Sequence, residues 1–275
     1  MSYSAIKTCL QILVAGGCII GTTTWADATG ESDTPKSRID FFALPIEVDI
    51  DSGAANGDAT ILRIIPVYSL PLGEKAKIVN LNLITLADAP GGVPGRPGNP
   101  DPVSGDRATG FGDLIHASFY TPDGAKSTIW GLGAILSIPT ASDKLLGSGK
   151  WSAGPAARFV YRTDKWNLGA LGGQLWSFGG DSSRNDISQL LVRGAIRRKL
   201  SDDWFFVSAP VITANWKVEK GQKWLIPLGG GFGRLFSVNN GNWAWSVQAY
   251  YNVVKPDGAP NWVLRFAVIS AIPLD

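Results

Sequence analysis

The sequence predicts an all-β protein: one antiparallel transmembrane β-barrel of about twelve strands, with short periplasmic turns and longer extracellular loops. Three observations predict it. Apolar and polar residues alternate with period two, the connections between these stretches alternate between short and long, and tryptophans gather where stretches begin or end. At 275 residues, with 45% hydrophobic and 17% charged residues, the chain is long enough to close one such sheet. A net charge of +2 shows no bias toward nucleic acid or acidic substrates, and no nucleic-acid partner is expected.

Export comes first in the chain. Lys7 precedes the apolar run "CLQILVAGGCIIG", which is too short for a membrane helix, and "TWADA" offers small residues for cleavage after Ala26 or Ala28. Residues 1–26 therefore read as a signal peptide, 27–38 as a polar periplasmic tail or plug, and 39–275 as the barrel. Both cysteines, Cys9 and Cys18, fall in the removed segment, so the mature chain has no thiol for disulfides or zinc, and no cofactor or metal is expected.

Strands are expected near residues 39–50, 59–70, 75–86, 111–122, 126–139, 151–162, 166–177, 189–200, 204–216, 223–235, 242–253 and 261–272. The pattern is plain in "NWAWSVQAYYNV", where Trp243, Trp245, Val247, Ala249, Tyr251 and Val253 share one face. Tight connections ("PLGE", "PDGA", "TDK", "SDD", "SVNNG") exchange with longer ones ("DSGAANGD", "TASDKLLGSGK", "SFGGDSSRND"). A barrel of the outer-membrane type explains this alternation, with both termini on the periplasmic side. On that assumption Trp166, Trp204 and Trp243 open upward strands at the inner interface. Trp151, Trp224 and Trp262 open downward strands at the outer one, where Trp176 and Trp216 end upward strands. Two aromatic girdles result, at the depth of the headgroups of an outer-membrane bilayer.

"SFYTPDG", "IWGLGAILSIPTASDKLLGSGKWSAGPA", "LWSFGGD", "PVITANW", "WLIPLGGGFGRLF" and "YYNVVKPDGAPNWVLRF" resemble a bacterial outer-membrane family. It is the transporter family of the MetA-type phenol-degradation pathway, some of whose members carry the name neuromedin U. The resemblance covers roughly residues 40–272 and implies a barrel that passes small, including aromatic, compounds across the Gram-negative outer membrane. It brings no catalytic or binding residue. The chain departs from such barrels at its end, which reads "AVISAIPLD" instead of closing near an aromatic residue for the barrel-assembly machinery.

Few other motifs carry chemistry. "GGGFG" lacks the full dinucleotide fingerprint and sits in a strand, so close backbone packing is expected there. "RRK" at 197–199 reads as an interfacial rim. The segment "APGGVPGRPGNPDP" cannot hold a regular ladder, because prolines lack the donor. It is either a flexible external loop, the expected form, or a constriction folded into the mouth. His116 and Ser118 in "GDLIHASFY" share a face, and with Ile115, Ala117 and Phe119 toward lipid on a downward strand they are expected to face the lumen. The pair is similar to that of outer-membrane phospholipase A, but that pair acts on the lipid-facing surface and is followed by Asn-Gly, where Phe119 and Tyr120 stand here. A structural lumen histidine is expected.

The same parity turns Arg63, Arg158, Arg162, Arg193, Arg197 and Arg265 inward, with Asn80, Asn82, Gln189, Gln248 and Asn252. Glu47 and Asp49 share the inner face of the first strand, which closure sets between the strands of Arg63 and Arg265. Those pairs are expected to brace the seam, leaving Arg158, Arg162, Arg193 and Arg197 as a track that selects a small anionic or aromatic permeant. Transport is the expected function and enzymatic activity is not expected. The alternatives are a lipid hydrolase using Ser118 and His116, and a barrel that only supports its loops.

Overall fold

The computed structural model describes residues 41–123, 127–238 and 241–272; the expected signal peptide and the stretch 27–38 lie outside the described residues. Fifteen strand segments form one sheet: β1 (Phe41–Ser52), β2 (Ala59–Ile64), β3 (Val67–Pro71), β4 (Ala76–Pro90), β5 (Arg107–Phe111), β6 (Leu114–Pro122), β7 (Thr128–Ile138), β8 (Lys150–Arg162), β9 (Trp166–Gly180), β10 (Ser188–Lys199), β11 (Trp204–Ser208), β12 (Val211–Asn215), β13 (Trp224–Val238), β14 (Gly241–Val254) and β15 (Trp262–Ile272). β2 with β3, β5 with β6, and β11 with β12 are each one broken strand, which leaves twelve staves, all antiparallel. The sheet closes where β1 pairs with β15, in register from Phe42 opposite Ile272 to Ser52 opposite Trp262. Closure removes the edges that an open sheet would expose.

Each break has a local cause. Pro66 and Pro210 follow the ends of β2 and β11, and neither can donate to the ladder. At the third break the Gly112 amide donates to the Thr85 carbonyl at 2.9 Å. Asp113 then leaves the ladder, and its Oδ2 accepts from the amide and hydroxyl of Ser148, both at 2.7 Å. These two residues change the parity of the strand. Phe111 points outward before the break, whereas Ile115, Ala117 and Phe119 after it are buried inside against Ile135, Leu175 and Leu191.

His116 therefore faces outward, not into the lumen, and so does Ser118. Their register partners Asn82 and Asn80 on β4 face outward with them. The expectation that these asparagines line the lumen fails because the lumen is not uniformly polar. Val79 and Leu81, which alternate with them, pack inside against Phe41, Val67, Phe205, Leu235 and Ile269, filling the short-turn half of the barrel with apolar side chains.

The outer face carries the opposite pattern to a soluble protein. Leu132, Phe178 and Leu228 are each 60% exposed or more, and Phe159, Phe232, Val253 and Phe266 extend the belt around the wall. Only a bilayer covers such a surface. Tryptophans rim it at both ends. At the long-loop end Trp216 and Trp224 meet edge to face at 5.5 Å, and Tyr251 meets Trp262 as a tilted pair at 4.9 Å. Trp151 and Trp176 are exposed at the same end. At the other end Trp204 meets Trp245 at 5.8 Å, near Trp243, while Arg198 lies over Trp166 and Arg234 over Trp204. Cationic heads on aromatic rings suit an interface, where one end of each side chain is wet.

Candidate functional site

The long connection between β4 and β5 enters the barrel. Val93, Asn99 and Pro100 are buried, and only residues 104–107 stand exposed beside Asp101. Three hydrogen bonds fix its tip to the inner wall. The Gly98 amide donates to Gln189 Oε1 at 2.8 Å, Gln189 Nε2 donates to the Arg96 carbonyl at 2.9 Å, and Thr213 Oγ1 donates to the Gly95 carbonyl at 3.0 Å. Gly95 and Gly98 take positive φ, 85° and 75°, on either side of Pro97, and a Cβ on Gly98 would lie 3.1 Å from Ile115 Cδ1. The flexible external loop expected from the prolines and glycines is thus a constriction in the mouth. The prolines limit the freedom of the open chain, and buried backbone groups that find partners on the wall hold it in. Burial lowers the pKa of the Arg96 guanidinium, against the opposing charge of Asp51.

Pro97 separates two cavities. The outer one, about 70 Å³, is bordered by Asp51, Arg96, Thr213, Tyr250 and Asn252. The inner one, about 90 Å³, is apolar: Ile65, Leu81, Ile115, Ile135, Leu171 and Leu191 form most of its wall, and Arg63 and Arg193 reach its rim. Beneath it lies the apolar cluster around Phe205 and Leu235.

An ionic network crosses the lumen at this level. Asp49 accepts from Arg63 and, through both oxygens, from Arg265 at 2.7 and 2.9 Å. Glu47 lies 3.7 Å from Arg265 and takes both terminal nitrogens of Arg193, at 2.5 and 3.1 Å, from β10 on another side of the barrel. Arg193, expected to belong to an unpaired track, is paired across the lumen. The inner face near Glu47 lies within side-chain reach of β10 because a twelve-stave lumen is narrow. Arg265 also donates to the Ala209 carbonyl at 2.9 Å, and the Ala209 amide donates to the Tyr250 hydroxyl at 2.7 Å. That hydroxyl donates to Gln248 Oε1 at 2.5 Å, so the network braces the break before Pro210. Arg158, Arg162 and Arg197 stand on the inner face nearer the short-turn end, with the Arg197 guanidinium 4.8 Å over the Phe205 ring.

Gln189 and Thr213 are the residues whose role sequence reasoning missed. Parity placed Gln189 inside, but nothing local shows that a loop 91 positions earlier supplies its partner.

The geometry has counterparts among known structures. The chain is similar to an outer membrane channel from Pseudomonas putida F1, with 14% identity over 89% of this chain and 100% of that one and a TM-score of 0.52. The toluene transporter TodX of P. putida gives 8% identity over 85% of this chain and 89% of that one, with a TM-score of 0.40. A Pseudomonas aeruginosa FadL homologue gives 10% over 80% and 69%, with a TM-score of 0.38. No protein-family model and no curated protein matches the sequence. At these identities the first of these likenesses shows the fold: a closed, twelve-strand antiparallel transmembrane barrel of the outer-membrane kind.

Proposed function

We propose that this chain lies in the outer membrane of a Gram-negative bacterium and passes small apolar solutes, aromatic compounds among them, through a lumen constricted by its inserted loop. The observation that carries this reading is the apolar cavity beneath Pro97, a site lined by aliphatic side chains with charge only at its rim. Such a site desolvates an apolar molecule at little cost and gives a hydrated ion no replacement for its water. The pairing of Arg193 with Glu47 favours the same reading over anion selection. The channel named among the similar structures supports transport as the class of function.

Bilayer recordings test the reading. The wild-type barrel should conduct salt poorly, and replacing residues 94–99 by a shorter Gly-Ser link should raise conductance, since the inserted loop narrows the mouth above the packed half of the lumen. Equal conductance in both would remove the loop from the path.

A further inference from the structure

The polar group on the outer wall does not belong to the lumen. His116 Nδ1 lies 2.9 Å from Asn82 Oδ1, and His116 Nε2 lies 2.9 Å from Ser118 Oγ. Ser118 Oγ lies 2.5 Å from Asn80 Oδ1. All four side chains are on the outer face of the wall, Asn80 buried among its neighbours and the other three half-buried, and the surface around them is apolar: Tyr120, Trp130, Leu132 and Phe159 are exposed. Polar side chains facing a bilayer cost free energy that ordinary wall positions avoid, so a group of four with linked hydrogen bonds calls for a role.

Counting protons orders the four. In a neutral imidazole one nitrogen donates and the other accepts. Asn82 Oδ1 can only accept, so Nδ1 carries the proton and Nε2 is left with a lone pair 2.9 Å from the Ser118 hydroxyl, able to take its single proton. At rest Ser118 Oγ donates that proton to Asn80 Oδ1 at 2.5 Å, so the hydroxyl turns to Nε2 as it attacks, and Nδ2 of the same carboxamide stands beside it as a donor. A nucleophile, a base, an orienting group and a donor beside the nucleophile are thus assembled on two adjacent strands. Opposite Ser118 in register stands Ala134, exposed and small, which leaves the hydroxyl open to the bilayer.

We propose that Ser118, His116, Asn82 and Asn80 form an esterase site that acts on carboxylic esters of apolar acyl chains from the lipid side of the wall. Ser118 Oγ attacks the ester carbonyl carbon as its proton passes to His116 Nε2, and Asn80 Nδ2 donates to the oxyanion. The bond to the alcohol breaks, and the alcohol leaves with the proton from His116. Water, the second substrate, attacks the acyl-serine, gives its proton to His116 and releases the fatty acid as the serine is restored. Asn82 is a positioning residue: it holds the imidazole by Nδ1 and touches no substrate. The acyl chain lies along Leu132 and Trp130. The site shares no side chain with the lumen cavity, so it stands or falls independently of transport.

The test uses the full barrel in detergent, with folding checked by its heat-dependent gel migration. One arm offers dioleoyl phosphatidylethanolamine in mixed micelles and the other nitrophenyl dodecanoate, which separates a bilayer lipid from a small apolar ester as the source. An alkyl fluorophosphonate probes the serine, with the modified peptide identified by mass spectrometry. Expected are modification of Ser118 and acid release from at least one ester. Ser118→Ala should abolish both, and His116→Ala should lower turnover by about 100-fold or more. Asn82→Ala should lower it by about 10-fold or more and Asn82→Asp restore it, which a purely structural asparagine would not show. Acid release no greater than from Ser118→Ala on both esters, with Ser118 unmodified, would overturn the proposal. So would a finding that these residues serve only to hold two copies of the barrel together.

Discussion

Glu47 and Arg193 stand 146 positions apart in the chain and meet at 2.5 Å across the lumen, joining strands that are not neighbours in the sheet. The pair divides the apolar half of the interior from the half that receives the loop. Both side chains are nearly inaccessible, so each holds the other's charge where water cannot.

Removing one partner should therefore cost more than the pair contributes. Arg193→Met leaves Glu47 with only Arg265 at 3.7 Å, and should destabilise the barrel by about 3 to 5 kcal/mol in urea titrations from lipid vesicles. Glu47→Gln with Arg193→Met together should recover much of that loss. A double variant as unstable as the sum of the single ones would show that the two side chains act separately.

The loop makes a sharper topological forecast. A cysteine at Ser104 should react with an impermeant maleimide on intact cells, since residues 104–107 are exposed at the long-loop end. A cysteine at Asn99 should be protected, and Gln189→Ala should unprotect it, because that side chain supplies two of the three tip hydrogen bonds. Equal labelling of both positions in the parent barrel would contradict the inserted tip.

The outer belt predicts an asymmetry between faces. Leu132→Arg, on the exposed side of β7, should destabilise the barrel by roughly 2 to 4 kcal/mol, the cost of a cation on the lipid face. The small-to-large change at the adjacent Gly133 should also be harmful, for a different reason: its Cβ would meet the Ser118 carbonyl of β6 in the ladder. Neutral behaviour of Leu132→Arg would place that face against water or protein.

The staves were legible because each carries its own alternation. "NWAWSVQAYYNV" needs no partner to show which face is apolar, and its two faces are those of β14. The closure of β1 on β15, and with it the contact of Asp49 with Arg63 and Arg265, followed from strand count and parity alone. His116 was misplaced because the break at Gly112 and Asp113 adds one residue to the strand, four steps from Phe111 to Ile115 against three from Leu86 to Leu83 on β4, and the partner that holds Asp113 there, Ser148, lies 35 positions away. Asn80 and Asn82 were misplaced for a second reason. A polar-inside rule fails where the lumen is packed with Val79, Leu81 and Phe205. The Arg193 pairing depends on the width of the closed barrel, and the insertion of Pro97 on Gln189 and Thr213. Neither is encoded within reach of the residues concerned.

Transport through the apolar cavity is tested most directly by filling it. Ala117 is 3% exposed and lines the cavity beneath Pro97, away from the loop's hydrogen bonds and the ionic network. Uptake of radiolabelled toluene into vesicles carrying the wild-type barrel, Ala117→Phe, or no protein is the measurement, with folding of both barrels confirmed by gel migration. Uptake should be faster with the wild type than without protein, and Ala117→Phe should lose about 10-fold of the protein-dependent rate, since a ring in so small a cavity displaces the solute. Wild-type uptake equal to that of empty vesicles, or unchanged by the filled cavity, would contradict transport through the cavity.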